Sequence, residues 1–450
     1  MSPAWLQSIL TANGSADAPK LYSWGLSNLE DHTPFSDVIG DRLGGSTSCP
    51  RQDDSYRRIY ILGIGNLGIL FASSLASLPN PPPITLVFHR KELLQSWRRE
   101  PGIEITRSGS SHKHSNFDVE LWSEEPPTSG EKREITDGRG IRNLIVTTKA
   151  SQALPEVDRV RRYLNGDSTV AFAQNGMCKL WPPHGTTYTA SRYSQTPASH
   201  PNWLACVTTH GVTSLGRFKS AHASEADMKV GPVLLGLEAP RNASYLSDIL
   251  SQAPNLNGHT VAQDELWILQ LEKLVVNSII NPLTAVLRCK NGDLFVNKEG
   301  PIANIIDILL LEASKILQAL VKDRSTDAIL NTIRGEATSH MKETSSKCEY
   351  QRRDLLDRFS QPRLQEMLYS VGHKVRENTS SMLQDVRAGK QTEINEFNGW
   401  LVETAAYLDA DLDVTYHKTL VGLVEKGTVL DADSLSKHFP RLLDSKSGST

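Results

Sequence analysis

The stretch from Arg58 to Arg90 constrains the fold of this chain more than any other. RIYILGIGNLGILFASSLASLP reads as a short apolar strand, a glycine turn, then a helix with apolar residues at helical spacing, closed by the proline-rich run Pro79–Pro83. ITLVFHR (Ile84–Arg90) reads as a second strand. Strand, helix and strand in that order form a βαβ unit, which requires a parallel sheet and a right-handed crossover. The turn is Gly63-Ile64-Gly65-Asn66-Leu67-Gly68. Gly63 allows the tight bend, Gly65 lets a pyrophosphate approach the backbone, and Gly68 lets the helix close on the strand. In this context the motif points to a dinucleotide, with a purely structural turn as the competing reading. The second strand ends in His89-Arg90-Lys91, where an NAD site carries an acidic residue. Basic groups there suit a 2′-phosphate, so NADP(H) is the expected cofactor; ordinary helix surface is the alternative.

Further strands are expected at Ile141–Ala150 and Ser168–Met177, with a helix between them, and at 203–218 and 227–238. Lys149 and Asn175 fall just beyond strand C-termini, the ligand-binding edge of an open α/β sheet. From about Asp264 the pattern turns wholly helical, with helices expected over 264–288, 301–322, 350–385 and 390–408. The chain therefore divides into an irregular leader (1–57), a Rossmann-like α/β domain (58–260) with a surface insertion at 181–202, and an all-α domain (261–450) with a charged extension at 323–365.

The chain has 450 residues and a formal charge of −3, without a basic, aromatic-interleaved patch, so nucleic acid is not an expected partner. Its five cysteines show no CxxC pair, which argues against a zinc site or disulfide framework and for a reducing compartment. The most apolar run, Ile302–Leu320, is interrupted by Asn304, Asp307, Glu312 and Lys315, and reads as a core helix rather than a membrane span. A cytoplasmic protein is expected, with mitochondrion as the alternative.

In the helical half, Lys273, Asn277 and Asn281 recur every fourth residue within an apolar segment. On a helix that spacing holds all three within an arc of about 80°. Buried ammonium and amide groups need partners, so the stripe is either a substrate-facing edge or polar glue between helices. Pro282 follows directly and is expected to kink or end the helix, freeing a carbonyl. Farther on, Ser381 and Asp385 share a helix face, Gly389 suggests a break, and Thr392-Glu393 opens the next helix. A helix N-terminus favours an ionised carboxylate, although a capped turn accounts for the same pattern.

Taken together, LGIGNLG, TTKASQ (147–152), QNGM (174–177), THGV (209–212), EKLVVNSIINPLTAVLRCKNGDL (272–294) and SSMLQDVRAGKQTEINEFNG (380–399) resemble the ketopantoate reductases (2-dehydropantoate 2-reductases), in the 6-phosphogluconate-dehydrogenase-like group. The leader, the insertion and the extension make the chain look like the longer fungal members. The resemblance implies NADPH-dependent reduction of 2-dehydropantoate to pantoate, in pantothenate and coenzyme A biosynthesis; the sequence leaves the oligomeric state open, with a homodimer as one alternative. It implies Lys273 as proton donor and Glu393 as a second catalytic group near the nicotinamide. It implies Asn175, Asn277, Asn281, Asn291 and Ser381 as substrate-binding residues, and Lys149, Asn175 and Val212 as cofactor contacts beside the glycine turn and Arg90. No metal is implied. Hydride addition to a ketone generates an alkoxide, which a charged lysine stabilises and protonates. Family members carry a proline and, two residues later, an asparagine where this chain has Thr415 and His417. That departure leaves room for a diverged paralogue. The insertion and the extension keep open a reductase of another 2-keto acid or ketone, and the leader and the extension a non-catalytic, nucleotide-binding regulatory protein.

Overall fold

The computed structural model describes residues 3–12, 18–29, 56–193, 200–236, 240–330, 351–408 and 411–439. Expectations for the rest of the leader, for 194–199 of the insertion and for 331–350 of the extension lie outside these residues, as do Cys49 and Cys348. The chain forms two compact units. One is an α/β unit of residues 8–174 and 187–262. The other is helical, and runs from Gln263 onward with the 175–186 segment and the turn around Trp5 added to it.

The α/β unit is built on strands β1 (Tyr22–Trp24), β2 (Ile59–Leu62), β3 (Ile84–Phe88), β4 (Ile103–Arg107), β5 (Ser110–His114), β6 (Asp118–Ser123), β7 (Arg133–Glu134), β8 (Asn143–Val146), β9 (Thr169–Phe172), β10 (Asn202–Thr208), β11 (Gly211–Gly216), β12 (Lys219–Ser224), β13 (Met228–Leu234) and β14 (Gly258–Thr260). Strands β6-β3-β2-β8-β9-β10 lie side by side and parallel, in the order of a doubly wound dinucleotide-binding sheet. The connection direction reverses between β2 and β8, which makes their C-terminal ends the topological switch point. Every residue of β3, β8 and β9 is buried, as a parallel sheet covered on both faces requires. Strands β11-β12-β4-β5 form a second, smaller sheet.

The helices used below are α1 (Ala4–Ala12), α2 (Asn66–Ala76), α3 (Lys91–Arg99), α4 (Ala150–Arg159), α5 (His184–Arg192), α6 (Pro240–Gln252), α7 (Gln263–Leu287), α8 (Pro301–Lys322), α9 (Gln361–Lys374), α10 (Ser381–Arg387), α11 (Trp400–Tyr407) and α12 (Thr415–Glu425). No helix among the described residues is long and apolar enough to cross a membrane.

Four expectations are corrected. The leader is not wholly irregular: α1 is a helix, and β1 pairs antiparallel with β6 and β7, so it extends the main sheet. The insertion is not all surface. Tyr188 is fully buried, and its hydroxyl donates to Asp158 Oδ1 at 3.0 Å. Arg192 and Arg161 pair with the same buried carboxylate, so this part of the insertion is anchored by charge. The 350–385 helix is broken, because Ser360 with Pro362 starts α9 and Ser380 caps α10. Finally, of the two outcomes expected at Pro282, the helix does not end there: α7 continues to Leu287. Proline brings no N–H to the Ser278 carbonyl, and Asn398 Nδ2 donates to that carbonyl at 2.9 Å instead.

Candidate active site

At the switch point the chain leaves β2 into the glycine turn. Gly63 has φ +96°, and a Cβ there would sit 2.8 Å from Thr148 Cγ2. A Cβ on Gly68 would lie 2.2 Å from the Gly63 carbonyl oxygen. Both glycines are demanded by packing. Gly65 differs: it is exposed, and a Cβ there would meet nothing within 4 Å. Ile69 N–H makes the first α-helical bond of α2, to the Gly65 carbonyl at 2.9 Å, so the N–H groups of Asn66, Leu67 and Gly68 precede the helical ladder. An open glycine before such donors fits a pyrophosphate. Ile64 and Leu67 flank the turn and pack against the core. Asn66 is held from both ends: its amide donates to the Val212 carbonyl at 3.4 Å, and its Oδ1 accepts from Ser220 Oγ at 3.0 Å. Val212 on β11 is thereby tied to the turn.

Arg90, like His89 before it, is exposed between β3 and α3. Lys91, the other basic candidate, holds its ammonium 3.7 Å from the centre of the Trp24 ring, a cation–π contact. The leader strand thus engages Lys91. Lys149 is exposed at the start of α4, directly after β8. The residues of this edge fit a nicotinamide dinucleotide phosphate.

In the helical unit, the Lys273 ammonium donates to Asn175 Oδ1 at 3.0 Å. The Asn175 amide donates in turn to Glu393 Oε2 at 3.4 Å. Asn175 therefore stands between the two charges. Burial pushes the lysine pKa down to about 8, and the negative charge of Glu393 opposes that shift. Glu272, the adjacent acid, pairs with Arg358 at 2.6 Å, as its different helix face requires.

Asn277 and Asn281 continue the stripe along α7. Neither side-chain amide has a hydrogen-bond partner among the described residues, although Asn281 is only 7 % exposed. At that end of the stripe, Thr284 Oγ1 meets Ser380 Oγ at 2.7 Å. Ser380 caps α10 and brings the exposed Ser381 alongside α7. Asn291 lies just past the helix; its Nδ2 donates to the Val375 carbonyl at 3.3 Å, and its buried Oδ1 is unpaired among the described residues. Glu393 lies two residues before a π-helical turn, Asn395–Gly399, which leads into α11. Such turns recur at functional sites. The described residues contain no cluster of metal-ligating side chains.

Two groups bear on the site without belonging to any motif quoted above. Gln270 extends the stripe one turn toward the N-terminus, a position its spacing from Lys273 signals. His417 is signalled only as a departure from the family pattern: it is wholly buried, accepts from Asn398 Nδ2 at 3.0 Å and donates through Nε2 to the Leu309 carbonyl at 3.2 Å. The substitution at this position is therefore structurally satisfied.

Residues 59–234 match the family described as ketopantoate reductase PanE/ApbA, and 266–427 match its C-terminal counterpart. A ketoisovalerate reductase of Gibberella fujikuroi is 40% identical over 97% of this chain and 98% of its own length. The chain belongs to the ketopantoate reductase family. A ketoisovalerate reductase of Beauveria bassiana is 39% identical over 97% of this chain and 98% of its own length. A probable 2-dehydropantoate 2-reductase of Schizosaccharomyces pombe is 28% identical over 82% and 95%. Among solved structures, a probable 2-dehydropantoate 2-reductase from Bacillus subtilis superposes with a TM-score of 0.53, at 20% identity over 82% of this chain and 99% of that one. A D-mandelate dehydrogenase with NADH and anilino(oxo)acetate gives 0.54, at 18% identity over 84% and 99%. These structures share the family fold, an α/β sheet domain followed by a helical domain.

Proposed function

We propose that the protein is an NADPH-dependent reductase of branched 2-keto acids, with Lys273 as the proton donor. The observation that carries this reading is the Lys273–Asn175–Glu393 arrangement, in which a lysine with a pKa near 8 is held by an amide and balanced by a carboxylate. Bound NADPH would supply the hydride to C2 of the keto acid. Gly65, the N-terminus of α2, Arg90, Lys149 and Val212 are the groups proposed to hold it. Lys273 stabilises the negative charge that develops on the keto oxygen and delivers its proton there. Asn175 fixes the direction of the ammonium, and Glu393 keeps it charged at neutral pH. The amides of Asn277, Asn281 and Asn291 and the Ser381 hydroxyl are proposed to orient the acid without adding charge.

Within this class, 2-ketoisovalerate is the favoured substrate. The relatives that share about two-fifths of this sequence over nearly its whole length bear that activity in their names. 2-Dehydropantoate, the product route to pantoate, is the second reading, supported by the S. pombe relative and by the family matched. The two acids differ by one hydroxymethyl group at the branching carbon. A site built to bond that hydroxyl rejects the analogue lacking it by roughly 10⁴-fold, whereas an apolar pocket discriminates by only about 10². NADPH oxidation with each acid separates the cases. Faster turnover of 2-ketoisovalerate is expected; a preference of about 10⁴ for 2-dehydropantoate overturns the ranking, and turnover of neither overturns the class.

A further inference from the structure

We propose that Trp5, Lys179 and Glu396 form a brace that positions the Asn175 loop against Lys273, so that the first helix of the chain contributes a positioning residue to the reaction. This inference rests on the reading of Lys273, Asn175 and Glu393 as the reacting site.

Asn175 lies in a segment, 173–183, with neither helix nor strand. A loop amide that must stay within hydrogen-bond reach of an ammonium needs fastening, because errors of about 1 Å in such groups cost roughly 10²-fold in rate. The loop is fastened on two sides. Toward α7, Gln270 Oε1 accepts from Trp181 Nε1 at 2.5 Å, and Gln270 Nε2 donates to the Gly176 carbonyl at 3.4 Å. Toward the π-helical turn, Lys179 Nζ pairs with Glu396 Oε1 at 3.3 Å, and both side chains are largely shielded, at 18% and 13% exposure. Gly176 (φ +85°) rests directly on that turn, where a Cβ would sit 2.8 Å from the Glu396 carbonyl oxygen. The spacing connects both fasteners to the reacting pair. Gln270 precedes Lys273 by three residues on α7, and Glu396 follows Glu393 by three, so each fastener lies within three residues of a reacting group along the chain.

Trp5 completes the brace. Its ring lies 5.1 Å from Lys179 Nζ, its side chain bonds Glu403, and it meets the edge of His184 at 5.7 Å, which in turn packs on Tyr407 at 5.5 Å. The ammonium of Lys179 is thus held between an aromatic face and a carboxylate. A shielded ion pair of this kind adds little net stability, so its effect is on register rather than on folding energy.

The test compares Trp5→Ala and Lys179→Met with the conservative Trp5→Phe and Lys179→Arg in the full-length chain. Turnover of NADPH with 2-ketoisovalerate is measured together with NADPH binding by fluorescence and melting temperature. The Lys273 ammonium is titrated by ε-¹⁵N-lysine NMR, with Lys273→Met providing the assignment. The brace predicts about a tenfold loss of kcat, unchanged NADPH affinity, rescue by the conservative pair, and a Lys273 titration that moves up toward the ordinary lysine range. Unchanged kcat and titration in both disruptive variants overturn it. Parallel loss of kcat, NADPH affinity and melting temperature without rescue overturns it too, by indicating general unfolding. If Trp5→Ala does not fold, the Lys179 pair decides alone. If the unmodified protein turns over no 2-keto acid, the functional reading fails, and the NMR titration still decides the brace.

Discussion

Asn398 Nδ2 donates to the Ser278 carbonyl over 2.9 Å, at the point in α7 where Pro282 supplies no N–H. The same amide donates its other hydrogen to His417 Nδ1 at 3.0 Å, which fixes His417 as the neutral tautomer carrying its proton on Nε2. A side chain thus substitutes for the missing rung of the helix. Replacing Asn398 by Leu should cost about 1–3 kcal/mol, the penalty for an unpaired buried carbonyl. Adding Pro282→Ala restores a backbone donor and should recover much of that loss. Denaturant melts of the four proteins in the cycle read the coupling; strictly additive effects would sink the assignment.

Lys273→Ala should lower kcat by roughly 10²–10⁴, the usual contribution of a positioned proton donor. Reduction should also fall as pH rises through about 8, where the ammonium is lost. Stability moves the other way. A lysine whose folded pKa lies below its unfolded value costs stability at neutral pH, and the cost fades between pH 8 and 10.5. Lys273→Met should therefore melt no lower than the parent at pH 7 despite being inactive. Full activity of either variant removes Lys273 from the chemistry.

The three glycines of the turn should respond differently. Gly68→Ala drives a Cβ against the backbone of Gly63 and should abolish stable folding of the α/β unit. Gly65→Val meets open space, so it should fold normally while weakening NADPH binding by about tenfold or more. Circular dichroism and nucleotide titration distinguish the two. A Gly65→Val protein with normal NADPH affinity would show that the pyrophosphate does not approach there.

Arg90→Ala should raise the KM for NADPH by about tenfold and leave that for NADH nearly unchanged, since only the former carries the 2′-phosphate. Lys91→Ala should alter this ratio little, because its ammonium is engaged by Trp24. Steady-state kinetics with both cofactors check the pair, and the reverse ranking would reassign the phosphate to Lys91.

Acid should destabilise the fold through His417. Burial lowers its folded pKa to about 4, below the ordinary value of 6.5. The unfolded chain then takes up a proton that the folded chain refuses, so stability is full above pH 6.5 and declines as pH falls toward 4. The span corresponds to roughly 3 kcal/mol. In His417→Asn this part of the acid limb should vanish from thermal melts recorded across that range. An unchanged limb would place the sensitivity elsewhere, with His222 the next candidate, since burial lowers it to about 4 as well.

Much of the fold is legible in local patterns. The strand, glycine turn and helix of residues 58–76 follow from backbone sterics and apolar spacing, and the α7 stripe follows from a four-residue repeat. The stripe is accurate as far as it goes, but the helix that carries it does not end at Pro282. Proline's effect on a helix depends on whether another group can take the freed carbonyl, and Asn398 lies far along the chain. The composition of 181–202 predicts a surface segment, whereas Asp158 draws Tyr188 and Arg192 inward. A polar segment gives no sign of a buried carboxylate that waits for it elsewhere.

The sequence by itself determined the doubly wound α/β architecture, the helical second half, the glycine turn and the residue types available for chemistry, because these depend on spacing within a few turns of chain. Only the tertiary structure decided which of those residues meet. Asn175 is 98 positions from Lys273 and 218 from Glu393, yet it hydrogen-bonds both. It belongs with the helical unit although it directly follows a strand of the sheet. The physical reason is range: backbone preferences act between neighbours in sequence, whereas a hydrogen bond acts over about 3 Å in space and is indifferent to the length of chain between its ends.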